Sequence, residues 1–274
     1  MKFAHTQGAL MSVRPRHLLF VLAFALLATA TSVRAQPDPE PVEDPDKIAQ
    51  TGLQFLTVQV NPRGAALAGT RVAEMSGGSS AMWYNPASMA AMDAKADVSF
   101  SQSQFIADIN YNQASVAYQP ASGQYGTFGA HFMSVDYGTI RQNIRFDNER
   151  GYRNIGTVSP TALAFGVGYG YPITDRVQVG GNVKYVQQDL GSGILSFDDG
   201  PSERVSNQVS TAAFDFGILY DTGFRGLAFG MNVRNFAGEL TYQRESFEPP
   251  LTFEIGLSQD VVAYTGLSQD VHSL

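Results

Sequence analysis

Nothing in this chain assembles a catalytic centre. Two histidines, His131 and His272, remain once the basic, apolar first thirty-five residues are set aside, and a Ser-His-Asp triad would have to use one of them. Neither is accompanied by the glycine pattern of a nucleophile elbow. His131 lies in an alternating segment with no neighbouring histidine, the pattern of a structural imidazole and not of a metal ligand. There is no cysteine, which removes disulfides, thiolate zinc sites and cysteine nucleophiles together. Gly166-Val167-Gly168-Tyr169-Gly170 imitates a nucleotide-binding glycine loop, but it sits inside an alternating segment with no helix following, so a Rossmann site is rejected. Asp189, Asp198, Asp199 and Glu203 could gather around Ca²⁺, which takes several oxygen ligands. Their spacing matches no EF-hand, and a solvated acidic loop is the simpler account. The expectation is a protein that is not an enzyme, with no catalytic residue, metal or cofactor.

The residues that could bind instead of react are Trp83, Tyr84, Asn85 and Pro86, in the run Ala81-Met82-Trp83-Tyr84-Asn85-Pro86-Ala87. The proline ring fixes its own φ and pushes the preceding residue out of the helical region, so the chain must change direction there. Taken alone, this is a helix-breaking connector with one buried tryptophan. Upstream lies a small-residue run from Pro62-Arg63-Gly64-Ala65-Ala66 to Gly77-Gly78-Ser79-Ser80, with Phe55-Leu56 before it.

That order resembles the PorV/PorQ family, relatives of the FadL-type outer-membrane transporters, in which a small-residue N-terminal run ends in a Trp/Tyr-Asn-Pro-Ala signature. The chain departs from the family at Glu74-Met75-Ser76-Gly77-Gly78-Ser79, where a longer apolar and acidic run is usual. The resemblance implies a membrane barrel whose N-terminal hatch carries Trp83, Tyr84, Asn85 and Pro86 as a binding motif in the barrel mouth. It also implies a part in type IX secretion, with exported proteins and secretion-machinery subunits as partners. The alternative within the same superfamily is transport of a hydrophobic ligand.

The elements that would position the motif follow from composition and periodicity. At 274 residues the chain has ample length for a core, and 16% charged residues with 27 glycines suit neither a helical bundle nor a disordered chain. Residues 1–35 have a basic start, an apolar run from Leu18 to Ala30 and Val33-Arg34-Ala35 at the cleavage subsites, the form of a secretory signal. The apolar run is shorter than the ~20 residues a membrane-spanning helix needs. Removing it leaves 14 bases against 25 acids, a net charge of −11. An acidic exported protein is a poor binder of nucleic acid, because phosphates repel it. Residues 36–50 are rich in Pro, Asp and Glu and read as an extended linker.

From Asp97 the pattern has a period of two. Leu163, Phe165, Val167, Tyr169 and Tyr171 oppose Ala162, Ala164, Gly166, Gly168 and Gly170, and Leu227, Phe229, Met231 and Val233 oppose Ala228, Gly230, Asn232 and Arg234. Each segment thus has one bulky apolar face and one small or polar face. A barrel in lipid sends bulk outward and keeps small or polar groups toward a crowded lumen. A soluble periplasmic sandwich is the competing architecture, and it predicts the reverse use of the two faces.

Connections at 120–123, 172–175 and 221–224 are tight and those at 138–159, 188–210 and 236–249 are long, an alternation expected of periplasmic turns and external loops. Tyr118, Tyr137, Tyr169, Tyr171, Tyr185 and Tyr220 fall near predicted strand ends, as interfacial aromatics would.

The sequence therefore predicts an all-β, transmembrane antiparallel β-barrel with a short N-terminal helical or irregular hatch. Its parts are a signal peptide at 1–35, an acidic linker at 36–50, a hatch at 51–95, barrel strands at 96–259 and an atypical tail at 260–274. In the tail Gly256-Leu257-Ser258-Gln259-Asp260-Val261 recurs as Gly266-Leu267-Ser268-Gln269-Asp270-Val271. Eight strand candidates are fewer than the family's barrel contains, so a C-terminally incomplete wall is expected, located in the outer membrane with the lipid bilayer as a partner.

Overall fold

A computed structural model of the chain describes residues 51–75, 77–195, 203–242 and 245–261. The expected signal peptide, the acidic linker, Asp198, Asp199 and most of the repeated tail lie outside the described residues.

Past residue 95 the chain is antiparallel sheet. Its strands are β1 (Ala96–Gln104), β2 (Asn110–Tyr118), β3 (Thr127–Asp136), β4 (Ile140–Arg145), β5 (Tyr152–Val158), β6 (Thr161–Pro172), β7 (Val177–Leu195), β8 (Glu203–Asp221), β9 (Leu227–Phe236), β10 (Leu240–Tyr242), β11 (Glu245–Phe247) and β12 (Thr252–Gln259). Eight of them form one meander in the order β1-β2-β3-β6-β7-β8-β9-β12, each paired to its neighbours antiparallel. The other four make two side hairpins, β4 with β5 and β10 with β11. Among the described residues no ladder joins β1 to β12, so the sheet is open where a closed barrel would be paired.

The long connections are built differently from the expected loops. Residues 138–159 hold the β4–β5 hairpin and 236–249 hold β10–β11, while much of 188–210 is strand, because β7 and β8, 19 residues long each, run on past the common sheet. The 105–109 connection is also short although it lies at the long-hairpin end, so the alternation of lengths is not strict. The projecting parts carry Gly, Ser, Asn and Gln with only scattered apolar residues such as Leu190, Ile194 and Val205, so they give no period-two signal in the sequence.

The two faces of the meander are used as the periodicity predicts. Phe128, Phe132, Phe165, Val167, Phe216, Ile218, Phe253 and Leu257 are exposed, whereas Ala162, Ala164, Ala213, Ala228 and Met133 on the opposite face are buried. What covers the second face is the segment from residue 51 to residue 92. It contains only short helical turns, over Gln54–Thr57, Pro62–Ala66, Ser79–Trp83 and Pro86–Ala91. Leu53, Phe55, Leu56 and Val60 pack on Tyr111, Met133, Val135, Val186 and Val209, and Met82 and Met89 form a second cluster with Tyr84. Among the described residues no helix is long and apolar enough to cross a membrane, which says nothing of crossing by strands.

Glycines on the covered face let this plug approach the sheet. A side chain at Gly180 would overlap the backbone of Pro86 and Ala87, and one at Gly230 would overlap Val72. A Cβ at Gly129 would stand 2.6 Å from the sulfur of Met82. The small face is therefore the imprint of a second layer of backbone.

Candidate functional site

The four motif residues sit at the centre of the contact between plug and sheet. Asn85 is the N-cap of the Pro86–Ala91 turn, and its Oδ1 accepts from the Ala87 amide at 3.1 Å. Proline at the first position of the turn has no amide to satisfy and presets φ. The same device opens the Pro62–Ala66 turn, where Asn61 accepts from Arg63 and Gly64. The amide of Asn85 donates to the carbonyl of Val72 at 2.6 Å and to that of Ile218 on β8 at 3.2 Å. One fully buried side chain thus joins two stretches of plug to the wall.

Trp83 and Tyr84 are held through their carbonyls. An irregular plug has no ladder to satisfy its backbone, and each buried carbonyl needs a donor from elsewhere. Arg234 on β9 donates from Nη1 to the Trp83 carbonyl at 2.7 Å and from Nη2 to Glu254 on β12 at 3.0 Å. Asn232, two residues earlier on the same face, donates to the Tyr84 carbonyl and to Glu254. Serines repeat the pattern at the margins, Ser258 donating to the Ala73 carbonyl at 2.6 Å and Ser103 to that of Val60 at 3.3 Å.

The Trp83 ring stands edge-on to His131, with centroids 4.3 Å apart. His131 faces Asn182 at 3.1 Å, Asn182 donates to Asp215 at 2.8 Å, and Asp215 pairs with Lys184 at 2.8 Å. Lys184 also donates to Asn235 at 2.6 Å, and the Asn235 amide returns to Asp215 at 2.7 Å. His131, Asn182, Lys184, Asp215 and Asn235 are buried between sheet and plug, and Trp83 is half-buried beside them. A buried ion pair is tolerated when its remaining hydrogen-bonding capacity is met, and here two asparagines meet it. His131 is thus a partner of tryptophan and asparagine, as expected of a structural imidazole.

The Tyr84 hydroxyl accepts from Arg71 Nη2 at 2.9 Å. Burial pushes this hydroxyl up to about 12, and the Arg71 charge beside it works in the opposite direction. Arg71 and Arg63 both pair with Glu74, so one carboxylate neutralises two plug arginines.

His131, Asn182, Lys184, Asp215, Asn232, Arg234 and Glu254 were not singled out by sequence reasoning as a site. Their signal was the polar residue recurring on the small face, Asn182 with Lys184 and Asn232 with Arg234, at positions where a glycine or alanine would have sufficed. Among the described residues no group of His, Asp or Glu side chains could hold a metal ion. Asp189 caps the Gly191 amide at 2.7 Å, and Glu203 opens β8. The comparisons with known protein families and with curated proteins find no match to this chain.

Proposed function

We propose that the chain is wall and plug of an outer-membrane β-barrel of the PorV/PorQ type, which docks exported proteins in type IX secretion and passes them to surface attachment. The observation that carries the membrane part is the inverted sheet. Val98, Phe100, Phe165, Phe216, Ile255 and Leu257 stand 76%, 70%, 51%, 55%, 57% and 70% exposed, while polar and charged side chains are buried on the other face. In water so broad an apolar surface would drive association. In hydrocarbon it is the favourable surface, and the common strands of the meander, 8 to 12 residues long in β1, β2, β3, β6, β9 and β12, have the length that crosses a bilayer. Tyr118, Phe128, Tyr169, Tyr171 and Tyr220 fall at the short-turn ends of their strands, as an aromatic belt would.

The docking part rests on the motif resemblance and on the plug that covers the small face of the sheet. A plug tied by Arg234, Asn232 and Asn85 leaves the projecting hairpins as the free surface for a protein partner. Fractionation of cells expressing the tagged full chain, followed by detergent extraction and pull-down, tests both parts. The chain stays with the outer membrane and retrieves the C-terminal domain of an exported protein. Release into the aqueous fraction contradicts the barrel, and membrane residence without cargo contradicts the docking role.

One observation favours transport of a hydrophobic ligand instead. A cavity of about 930 Å³ lies between plug residues such as Leu67, Val72 and Met75 and the plug-facing side of β12 at Glu254, Gly256 and Ser258. That volume suits a small molecule. A fatty acid recovered from this cavity, with no cargo retained, would select the second reading.

A further inference from the structure

The two ends of the plug stand at opposite ends of the wall. At the long-hairpin end Thr51 bridges Glu248, and the Gly52 amide donates to the Glu248 carbonyl at 3.1 Å. A side chain at Gly52 would overlap the Phe247 ring, so the chain lies directly on the β10–β11 hairpin. At the short-turn end a Cβ at Gly170 would stand 3.0 Å from the Ala90 amide, and the Lys95 carbonyl accepts from the Gln119 amide at 2.9 Å. Ala96 then opens β1 opposite Tyr118, the last residue of β2. β1 and β2, 9 residues each, separate these two ends by roughly 30 Å at about 3.3 Å per residue.

The entry at the rim is a built corner. Leu53 takes φ 54 and ψ 33, a left-handed backbone that a leucine keeps only where its surroundings compel it. Its side chain is fully buried and belongs, with Phe55, Leu56 and Val60, to the apolar cluster that includes Tyr111 and Val135, at the long-hairpin ends of β2 and β3. Ser103, at the same end of β1, donates to the Val60 carbonyl. The corner turns the chain from the hairpin onto the small face of the sheet, and the cluster beneath it fixes the plug there.

We propose that the plug is threaded through the barrel from outside to inside, with Thr51 on the outer surface beside the long hairpins and Asp93 on the periplasmic side. This rests on the reading of the sheet as an outer-membrane wall whose short turns face the periplasm. A hatch hinged at the periplasmic mouth is held at one end. This plug is held at both, at the rim through Glu248 and the Leu53 corner and at the other end by its continuation into β1. It cannot swing clear as a lid, and any opening begins with release of the rim contact. The chain preceding Thr51 meets the plug on the outer surface, next to the hairpins that the docking reading leaves free for a protein partner.

Cysteine labelling of intact cells tests it, since the chain has no native cysteine. Thr51→Cys, Asp93→Cys, Glu149→Cys on the β4–β5 hairpin and Gln124→Cys in a short turn each replace an exposed side chain of the full chain. The probe is a polyethylene-glycol maleimide too large to cross the outer membrane, applied before and after that membrane is permeabilised. Thr51→Cys and Glu149→Cys react in intact cells at least tenfold more than Asp93→Cys and Gln124→Cys, which react only after permeabilisation. Gln54→Cys, exposed three residues further on, reads the same rim should Thr51→Cys fail to assemble. Reaction of Glu149→Cys in intact cells, with Thr51→Cys and Gln54→Cys both waiting for permeabilisation, overturns the threading and leaves the barrel reading standing. Equal reaction of Glu149→Cys and Gln124→Cys in intact cells, or reaction of Gln124→Cys alone, overturns the wall reading itself and the threading with it.

Discussion

Arg234 donates to the Trp83 carbonyl at 2.7 Å across 151 residues of sequence and holds Glu254 with its other terminal nitrogen. One guanidinium therefore joins plug, β9 and β12. Arg234→Lys keeps the charge but cannot meet carbonyl and carboxylate at once. Losing a largely buried charge-assisted contact costs roughly 2–4 kcal/mol. Limited proteolysis at residues 60–80 in the folded, detergent-held protein should accelerate in the lysine variant and more so in Arg234→Ala. Unchanged cleavage in both would show that the tie does not hold the plug.

Asn85 combines a cap with two donated bonds, and its substitutions separate these roles. Asn85→Asp retains the acceptor that caps Ala87 and loses both donors, placing a carboxylate against the Val72 and Ile218 carbonyls. Asn85→Ala loses all three bonds at a cost of roughly 3 kcal/mol. The aspartate variant is expected to unfold at a lower denaturant concentration than the alanine variant, because it adds repulsion to the loss. The opposite order would make the cap the dominant contribution.

The glycine face gives a steric test. Gly180→Ala places a methyl where the Pro86 backbone lies, whereas Gly238 has open space around it. The first should cost about 1–3 kcal/mol as an overpacking change and the second should be close to neutral. Thermal unfolding of the two variants in the same detergent decides it, and equal melting temperatures would remove the close approach from the account.

Tyr84 supplies a pH dependence. Burial raises its hydroxyl from 10.0 to about 12 in the folded protein, so folding favours the neutral phenol. The stability this confers is complete below pH 10 and is lost as the pH rises from 10 toward about 12. Unfolding midpoints should fall across that window in the native chain and fall less in Tyr84→Phe, once the other tyrosines common to both are subtracted. Equal slopes would place Tyr84 in solvent.

Much of this arrangement was legible in the sequence, for a physical reason. A face in contact with one medium along its whole length needs one kind of side chain at every second position, and Leu163 to Tyr171 shows this. The plug was legible through Asn85-Pro86, because capping and a fixed φ are local properties. The extensions of β7 and β8 were not legible, since the isolated Leu190, Ile194 and Val205 among Gly, Ser, Asn and Gln do not recur at every second position. Nor was the network from His131 to Asn235, whose members meet only through strand register across 104 residues. Lys184 and Asp215 look like ordinary solvated charges until the ladder of β7 and β8 sets them side by side.

The central claim is that the exposed apolar face contacts hydrocarbon, and the absence of native cysteine makes it directly measurable. Single cysteines at Phe165, Val167, Phe216 and Ile218, and at the inward-facing Ala213 as control, can each carry one fluorophore in protein reconstituted into bilayers. Brominated lipid chains should quench the four outward labels strongly and aqueous iodide should not, with the Ala213 label insensitive to both. Quenching of the outward labels by iodide, with no effect of brominated lipid, would contradict the account.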